Sequence, residues 1–330
     1  EAQANRLRDQ VRLLAPQLGM PAEAAKLDDL IGTLEGTRET ALTAPTAKAR
    51  QAGCPYDPDR LVLFQSLYKA LRDSPPVIRP TSDHSPEGNA TLAFFESYFS
   101  NFIEGTEFEV EEAADIVFRG VIPFARPEDA HDVLGTWRMV SSAHEMAQTP
   151  KRPEDLVRLL RHRHAAIMEG RPDKQPGRFK QVGNRAGSTT FVTPELVEGT
   201  LKVGFEVYQG LEAPFQRAIF MMFLISEIHP FVDGNGRTAR IMMNAELVAA
   251  GEERIIIPTV YRGNYLAALK ALSQIQRPNA LIRTLDFAQK WTASIDWAEL
   301  RATQQQLERC NAFLDPVSAE DLGKRLKLAE

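Results

Sequence analysis

The densest set of chemically capable side chains lies in SEIHPFVDGNGRTARIMMNAELVAAG, from Ser226 to Gly251. His229 titrates near neutrality and suits a general base. Asp233 is a hard oxygen ligand of the kind Mg²⁺ takes while keeping most of its waters. Gly234 and Gly236 flank Asn235 and can turn successive backbone N–H groups onto one point, an anion nest that a Cβ rarely permits. Arg237 and Arg240 stand one helical turn apart, so both guanidinium forks can point to one side. A base, a metal ligand, a cradle and two cationic clamps are the parts that phosphate chemistry needs.

The elements that must hold these groups follow from their neighbours. Pro230 cannot continue a helix through Phe220 and Ile228, so His229 is left at a helix end facing a loop. A second helix starts near Arg237, and its N-terminal N–H groups and dipole favour negative charge. Pro214 to Ile228 is apolar on every side, as a fully buried central helix would be, and its methionines read as core filling. Ile241 to Ala250 continues the second central helix until Gly251 stops it.

His229, Pro230, Phe231, Asp233, Gly234, Asn235, Gly236, Arg237 and Arg240 match the HPFxDGNGRxxR signature without a departure, and on these residues the chain resembles the Fic-domain proteins. The resemblance implies a mainly α Fic fold: a helical bundle around a central buried helix pair joined by the HPFVDGNGR loop, with a β-hairpin flap. It implies a protein adenylyltransferase that transfers AMP from ATP to a Ser, Thr or Tyr hydroxyl of a target protein. In that scheme His229 is the base and Asp233 holds Mg²⁺. Asn235 and the Gly234 and Gly236 N–H groups hold the α-phosphate, and Arg237 and Arg240 the outer phosphates. A Doc-like phosphotransferase, which lacks the first glycine supplied here by Gly234, and removal of AMP from a modified protein are the alternatives at the same site.

A second segment, TLAFFESYFSNFIEG, carries Phe95, Phe99, Phe102 and Ile103 at spacings of three and four, so one face of a helix over 90–105 must be buried. Gly105 is a natural stop, and Glu104 falls in the last turn, where the dipole disfavours a negative charge and a cation is wanted. Ser100, Glu104 and Gly105 also fit the (S/T)xxxE(G/N) motif of autoinhibited Fic proteins. By that resemblance Glu104 pairs with Arg240 and occupies the space of the γ-phosphate, which makes a separate antitoxin unnecessary. The run RFKQVGNRAGSTTFVT, over 178–193, has the β-branched residues and glycines of a hairpin, and a lone hairpin needs a reason. The resemblance supplies one: a flap whose strand Thr189, Thr190, Phe191 and Val192 holds a target segment by main-chain pairing. It also places Tyr261, Tyr265 and Asn279 beside the nucleoside.

The remaining chain reads as scaffold. Helices are predicted over Glu1–Leu18, Leu61–Leu71, Val110–Phe118, Asp129–Met146, Pro153–Met168, Asn264–Ile275 and Ala280–Trp291, with a loose connection from Gly36 to Gly53 and a loop from Ser74 to Asn89. Asp296–Arg309 and Ala319–Lys327 read as polar helical tails. His131 and His144 read as surface or capping residues. His162 and His164 diverge by about 200° on a helix, which argues against a shared metal. The division is an N-terminal helical region over 1–88, a Fic domain over 89–292 and a C-terminal tail over 293–330. The 330 residues, 43% hydrophobic and 25% charged, are ample for a core. A net charge of −5 argues against a nucleic-acid partner, and no apolar run reaches membrane-spanning length. Cys54 and Cys310 lack CxxC spacing, and with no signal-peptide pattern the expectation is a cytoplasmic protein. A homo-oligomer stays open.

Overall fold

A computed structural model describes residues 2–36, 38, 42–82 and 84–329. The helices are α1 (Ala2–Leu18), α2 (Pro21–Leu34), α3 (Pro45–Gln51), α4 (Pro58–Asp73), α5 (Pro86–Ile103), α6 (Val110–Arg119), α7 (Pro127–Ser141) and α8 (Ala143–Met146). They continue with α9 (Pro153–Ile167), α10 (Val197–Tyr208), α11 (Pro214–Ile228), α12 (Asn235–Val248), α13 (Arg262–Ile275), α14 (Pro278–Ser294), α15 (Leu300–Arg309) and α16 (Pro316–Asp321). Proline opens many of them because its fixed φ is already helical and its missing N–H would have had no intrahelical acceptor. Side-chain caps sharpen two of these starts. Asp57 accepts from the Asp59 and Arg60 N–H groups at the head of α4, and Ser85 accepts from Gly88 at the head of α5.

The centre is the antiparallel pair α11 and α12, whose connecting loop is the signature segment. From Ile219 to Ile225 every α11 side chain is fully buried, so this helix needs a complete sheath. Helix α4 supplies Leu63, Phe64, Leu67 and Leu71, and α9 and α10 supply Leu160 and Phe205. The core around α11 therefore includes a helix from the N-terminal region. A second core forms around α5, where Phe95 and Phe99 meet Trp291, Trp297 and Leu307, and the Phe313 ring stacks on Phe99 at 5.3 Å. The two tails that looked polar thus hide one apolar stripe each way. Helix α15 is strongly amphipathic, and its buried face closes over α5.

Several boundaries differ from the sequence-based expectation. Helix α2 was not anticipated, and α3 occupies part of the expected loose connection, of which residues 37 and 39–41 lie outside the described chain. The helix expected from residue 90 begins at Pro86, because Pro86 is a first-turn residue rather than a breaker. The last tail is helical over Pro316–Asp321, and residues 324–329 form no regular element, with the Lys327 N–H donating to Cys310 O at 3.1 Å. The hairpin is two residues per strand, pairing Arg185 with Thr190 and Ala186 with Thr189 around Gly187, which adopts φ +57. Among the described residues no helix is long and apolar enough to cross a membrane.

Leu307 is fully buried between α15 and α5. Leu307→Ala should lower the unfolding free energy by about 2–5 kcal/mol, the cost of a core truncation that leaves a cavity. Urea denaturation checks it, and a loss below about 1 kcal/mol would mean that the tail is not part of the core.

Candidate functional site

His229 ends α11 in the left-handed conformation, φ +54, with its N–H donating to Ile225 O at 2.9 Å. A residue with a Cβ holds that conformation only when its surroundings enforce it. Here Phe191 stacks on the imidazole, ring centroids 3.8 Å apart and planes within 7°. The Nδ1 atom lies 3.3 Å from Ser226 O, which fixes the proton on Nδ1 and leaves the Nε2 lone pair free. Burial pushes the imidazole down to about 4, so it is neutral at pH 7 and able to accept a proton.

The loop after His229 is held by side chains on every side. Asn235 Oδ1 accepts from Phe231 N at 2.8 Å and its Nδ2 donates to Phe231 O at 3.0 Å. Its amide is therefore spent on the loop, and only its backbone N–H remains for an anion. The contact expected between Asn235 and the α-phosphate would therefore run through that N–H. Lys180 donates to Asn184 Oδ1 at 2.6 Å, and its backbone N–H donates to Pro230 O at 2.9 Å. Asn184 in turn donates to Phe231 O at 2.9 Å. The base of the hairpin is thereby fastened to the loop.

His164 was expected to do no more than exclude a metal, and the structure gives it a positioning part. Its ring lies flat on Phe231 at 3.7 Å. Nδ1 accepts from Gly177 N at 2.9 Å, so Nε2 carries the proton and donates to Asp233 O at 3.0 Å. The signal was present in the chain: His164 stands four residues after Leu160 on the apolar face of α9, where a histidine is buried and must find partners. Burial pushes it down to about 4. His131, His144 and His162 are exposed.

The two signature glycines serve different contacts. Gly234 adopts φ +71, and a Cβ there would meet Met168 Sδ at 2.7 Å. Gly236 is the second residue of α12, and a Cβ there would lie 2.2 Å from Glu104 Oε1. The Glu104 carboxylate thus rests against the first turn of α12, where helical N–H groups lack intrahelical acceptors. Arg240, 5% exposed, donates to that carboxylate at 2.7 Å, to Ser100 Oγ at 3.0 Å and to Ser100 O at 2.8 Å. Arg237 does not join it. Its Nη1 sits 2.9 Å from Asp132 Oδ2, a carboxylate that Arg171 also contacts at 2.8 Å, and it is buried between α12 and α7. The angle between positions 237 and 240 is about 60° short of a full turn, enough to send the two forks to different neighbours.

A cavity of about 350 Å³ opens beside this cluster. Glu104, Gly236, Arg240 and His229 line it, together with Thr189 and Phe191 of the hairpin. Tyr265, Leu266 and Leu269 of α13 supply a wall. Tyr261 instead packs on Phe287 at 5.4 Å, and Asn279 lies by a separate hollow with Ser66 and Lys69, so neither belongs to this wall. Val192 is 1% exposed and sits in the core, so it cannot face a docking segment. The usable strand ends at Thr190, where Arg60 of α4 donates to the Thr190 carbonyl. Asp233 Oδ1 accepts from Gly234 N at 2.7 Å, leaving Oδ2 for a cation. Among the described residues no three His, Cys, Asp or Glu side chains gather as a metal cage. A lone carboxylate still suits Mg²⁺, which is commonly held by one or two carboxylates together with substrate phosphates and water.

Residues 155–247 match the Fic/DOC family. Protein adenylyltransferase fic-1 of Caenorhabditis elegans is 26% identical over 184 residues, 53% of this chain and 36% of its own length. Protein adenylyltransferase Fic of Drosophila melanogaster is 43% identical over 61 residues, 18% of this chain and 12% of its own. The match therefore spans little more than a third of the length of the C. elegans relative and about an eighth of that of the Drosophila one. Among solved structures, Fic-1 from C. elegans superposes with a TM-score of 0.50 at 18% identity, covering 94% of this chain and 87% of that one. A Fic domain containing signaling protein from Bacteroides thetaiotaomicron gives a TM-score of 0.52 at 18% identity, covering 74% and 97%. These likenesses are of fold.

The two depressed imidazoles make stability depend on pH in a defined direction. Below the ordinary histidine value near 6.5 the unfolded chain takes up protons that buried His164 refuses until about 4. Stability present above 6.5 is therefore lost as pH falls through that window, about 2 kcal/mol from His164 alone between pH 7 and pH 5. Urea denaturation at both values should show that loss, and His164→Gln should remove this contribution. An equal slope in the two proteins would sink the assignment.

Proposed function

The chain carries a Fic domain, and from that premise we propose that the cavity transfers AMP from ATP to a hydroxyl of a target protein and is restrained by Glu104. The observation that carries the reading is the Glu104 carboxylate, 2.7 Å from Arg240 and pressed on Gly236 at the head of α12. A carboxylate in an anion site stands where a phosphate would go. The naming of the relatives as protein adenylyltransferases supports the same chemistry.

The proposed steps use groups already in place. The N–H groups of Gly236 and its neighbours in the first turn of α12 receive the α-phosphate, and Arg240 turns from Glu104 to the outer phosphates. Asp233 would hold Mg²⁺, which when bound neutralises charge on the phosphates. His229 Nε2 takes the proton of the incoming Ser, Thr or Tyr hydroxyl as its oxygen bonds to the α-phosphorus and pyrophosphate leaves. Thr189 and Thr190 offer the main-chain edge against which a target segment lies, with Arg60 already on the Thr190 carbonyl. Arg237 acts through Asp132, holding α12 to α7 so that the nest stays formed. Most of the rate then comes from position and preset charge.

Displacing Glu104 leaves Arg240 short of an anion, a deficit that nucleotide phosphate makes good. Glu104→Gly should raise AMP incorporation from α-labelled ATP at least tenfold over the unaltered protein, and His229→Ala in that background should reduce it to the blank. Equal labelling with and without Glu104 would defeat the restraint. Label arriving from the γ-position instead would replace AMP transfer with phosphate transfer.

A further inference from the structure

The signature carries two arginines, but only one of them is left for phosphates. Arg240 meets Glu104, whereas Arg237 is buried and holds Asp132 at 2.9 Å. A triphosphate carries more charge than one guanidinium and one helix N-terminus answer. Two further cations line the cavity, Arg262 and Lys270, both on α13. Lys270 is exposed and stands about 12 Å along the helix from Arg262. Arg262 is half-buried and fixed in place: its Nε donates to Ile103 O at 2.9 Å, the residue next to Glu104. That leaves the four N–H donors on its two Nη atoms, which among the described residues make no hydrogen bond and no ion pair. A guanidinium with its fork free, lining the same cavity as a carboxylate that a phosphate would displace, is placed to meet that phosphate as well.

We propose that Arg262 is the second phosphate-binding cation of this site, taking an outer phosphate of ATP from α13 while Arg240 takes it from α12. This rests on the nucleotide reading of the cavity given above. It gives the outer phosphates two guanidinium groups on two different helices, in place of the pair on α12 that the spacing of the signature suggests. A simpler part for Arg262 is to satisfy the Ile103 carbonyl, one of those that the end of α5 leaves without an intrahelical partner. That part needs a single donor, which an uncharged amide also supplies. The positive fork goes beyond it. A ligand bearing β- and γ-phosphates would engage the remaining donors, and one with a single phosphate on the α12 nest would not. Arg262 therefore matters for ATP and not for AMP.

Binding of ATP and of AMP to the full chain, measured by calorimetry with Mg²⁺, tests this. Glu104→Gly opens the site, and His229→Ala keeps the nucleotide from being consumed. In that background Arg262→Gln should weaken ATP binding at least about tenfold and AMP binding less than about threefold, as expected of a charge-assisted contact made by the outer phosphates alone. Lys270→Gln removes the same charge from an exposed part of the lining and should change neither by more than about threefold. A second measurement leaves residue 262 unaltered, so it holds even where Arg262→Gln does not fold. Modification of Arg262 by phenylglyoxal, followed by mass spectrometry, should slow with ATP and not with AMP. ATP binding that withstands Arg262→Gln, equal losses of ATP and AMP, an equal loss with Lys270→Gln, or ATP that leaves the modification unslowed would overturn the role of Arg262 while leaving AMP transfer through Arg240 standing. Failure of ATP to bind at all would overturn both.

Discussion

Everything at the centre of this molecule answers to one requirement, that the buried guanidinium of Arg240 and the first turn of α12 both find negative or accepting partners. A cation taken out of water costs several kcal/mol unless each donor is met. Three atoms of α5 meet them: Ser100 Oγ, Ser100 O and Glu104 Oε1. One turn further along, Glu96 Oε1 accepts from Asn244 at 2.8 Å. Glu96, Ser100 and Glu104 are four residues apart on α5, and Arg240 and Asn244 four apart on α12, so polar stripes on two helices set their register. Apolar packing alone tolerates a slip of register far better than a ladder of buried hydrogen bonds does.

That register is what the outer layers maintain. The aromatic cluster of Phe95, Phe99, Trp297 and Phe313 packs α5 against the C-terminal segment. Arg171 and Arg237 share Asp132, which ties α7 to α12 on the next side. Beneath the loop, His164 holds the Asp233 carbonyl, Asn235 that of Phe231, and Lys180 those of Ile228 and Pro230. Every one of these groups is buried and acts through the backbone, so the loop keeps its shape without a ligand. Burial makes Lys180 easier to deprotonate, down to about 8, with the Arg60 charge adding to the effect. At pH 7 the Lys180 ammonium is still mostly charged, while the two imidazoles are neutral.

The hairpin shows how a marginal element is made definite. Two strands of two residues cannot stand alone. Phe191 lies on the His229 ring, Arg60 reaches the Thr190 carbonyl, and Gln274 donates to Thr189 Oγ1 at 3.1 Å. Helices α4, α11 and α13 thus fix the hairpin from three directions. The first of these belongs to the N-terminal stretch that carried no recognisable chemistry, which is why a link between Arg60 and the cavity could not be read from spacing.

Sequence alone determined what depends on local geometry. Pro230 ends α11, Gly234 takes a positive φ, the apolar run of Pro214 to Ile228 is buried, and Glu104 at a helix C-terminus needs a cation. Each follows from one residue or from a period of 3.6. Tertiary structure decided which partner each group found. Arg237 and Arg240, alike in sequence, part company because α7 offers Asp132 to one and α5 offers Ser100 and Glu104 to the other. His164 and Lys180 became loop supports, Val192 a core residue, and the polar-looking tail a cover for α5. These outcomes depend on contacts between residues up to two hundred positions apart, about which a local pattern of charges and apolar side chains is silent, because burial is a property of the packed whole.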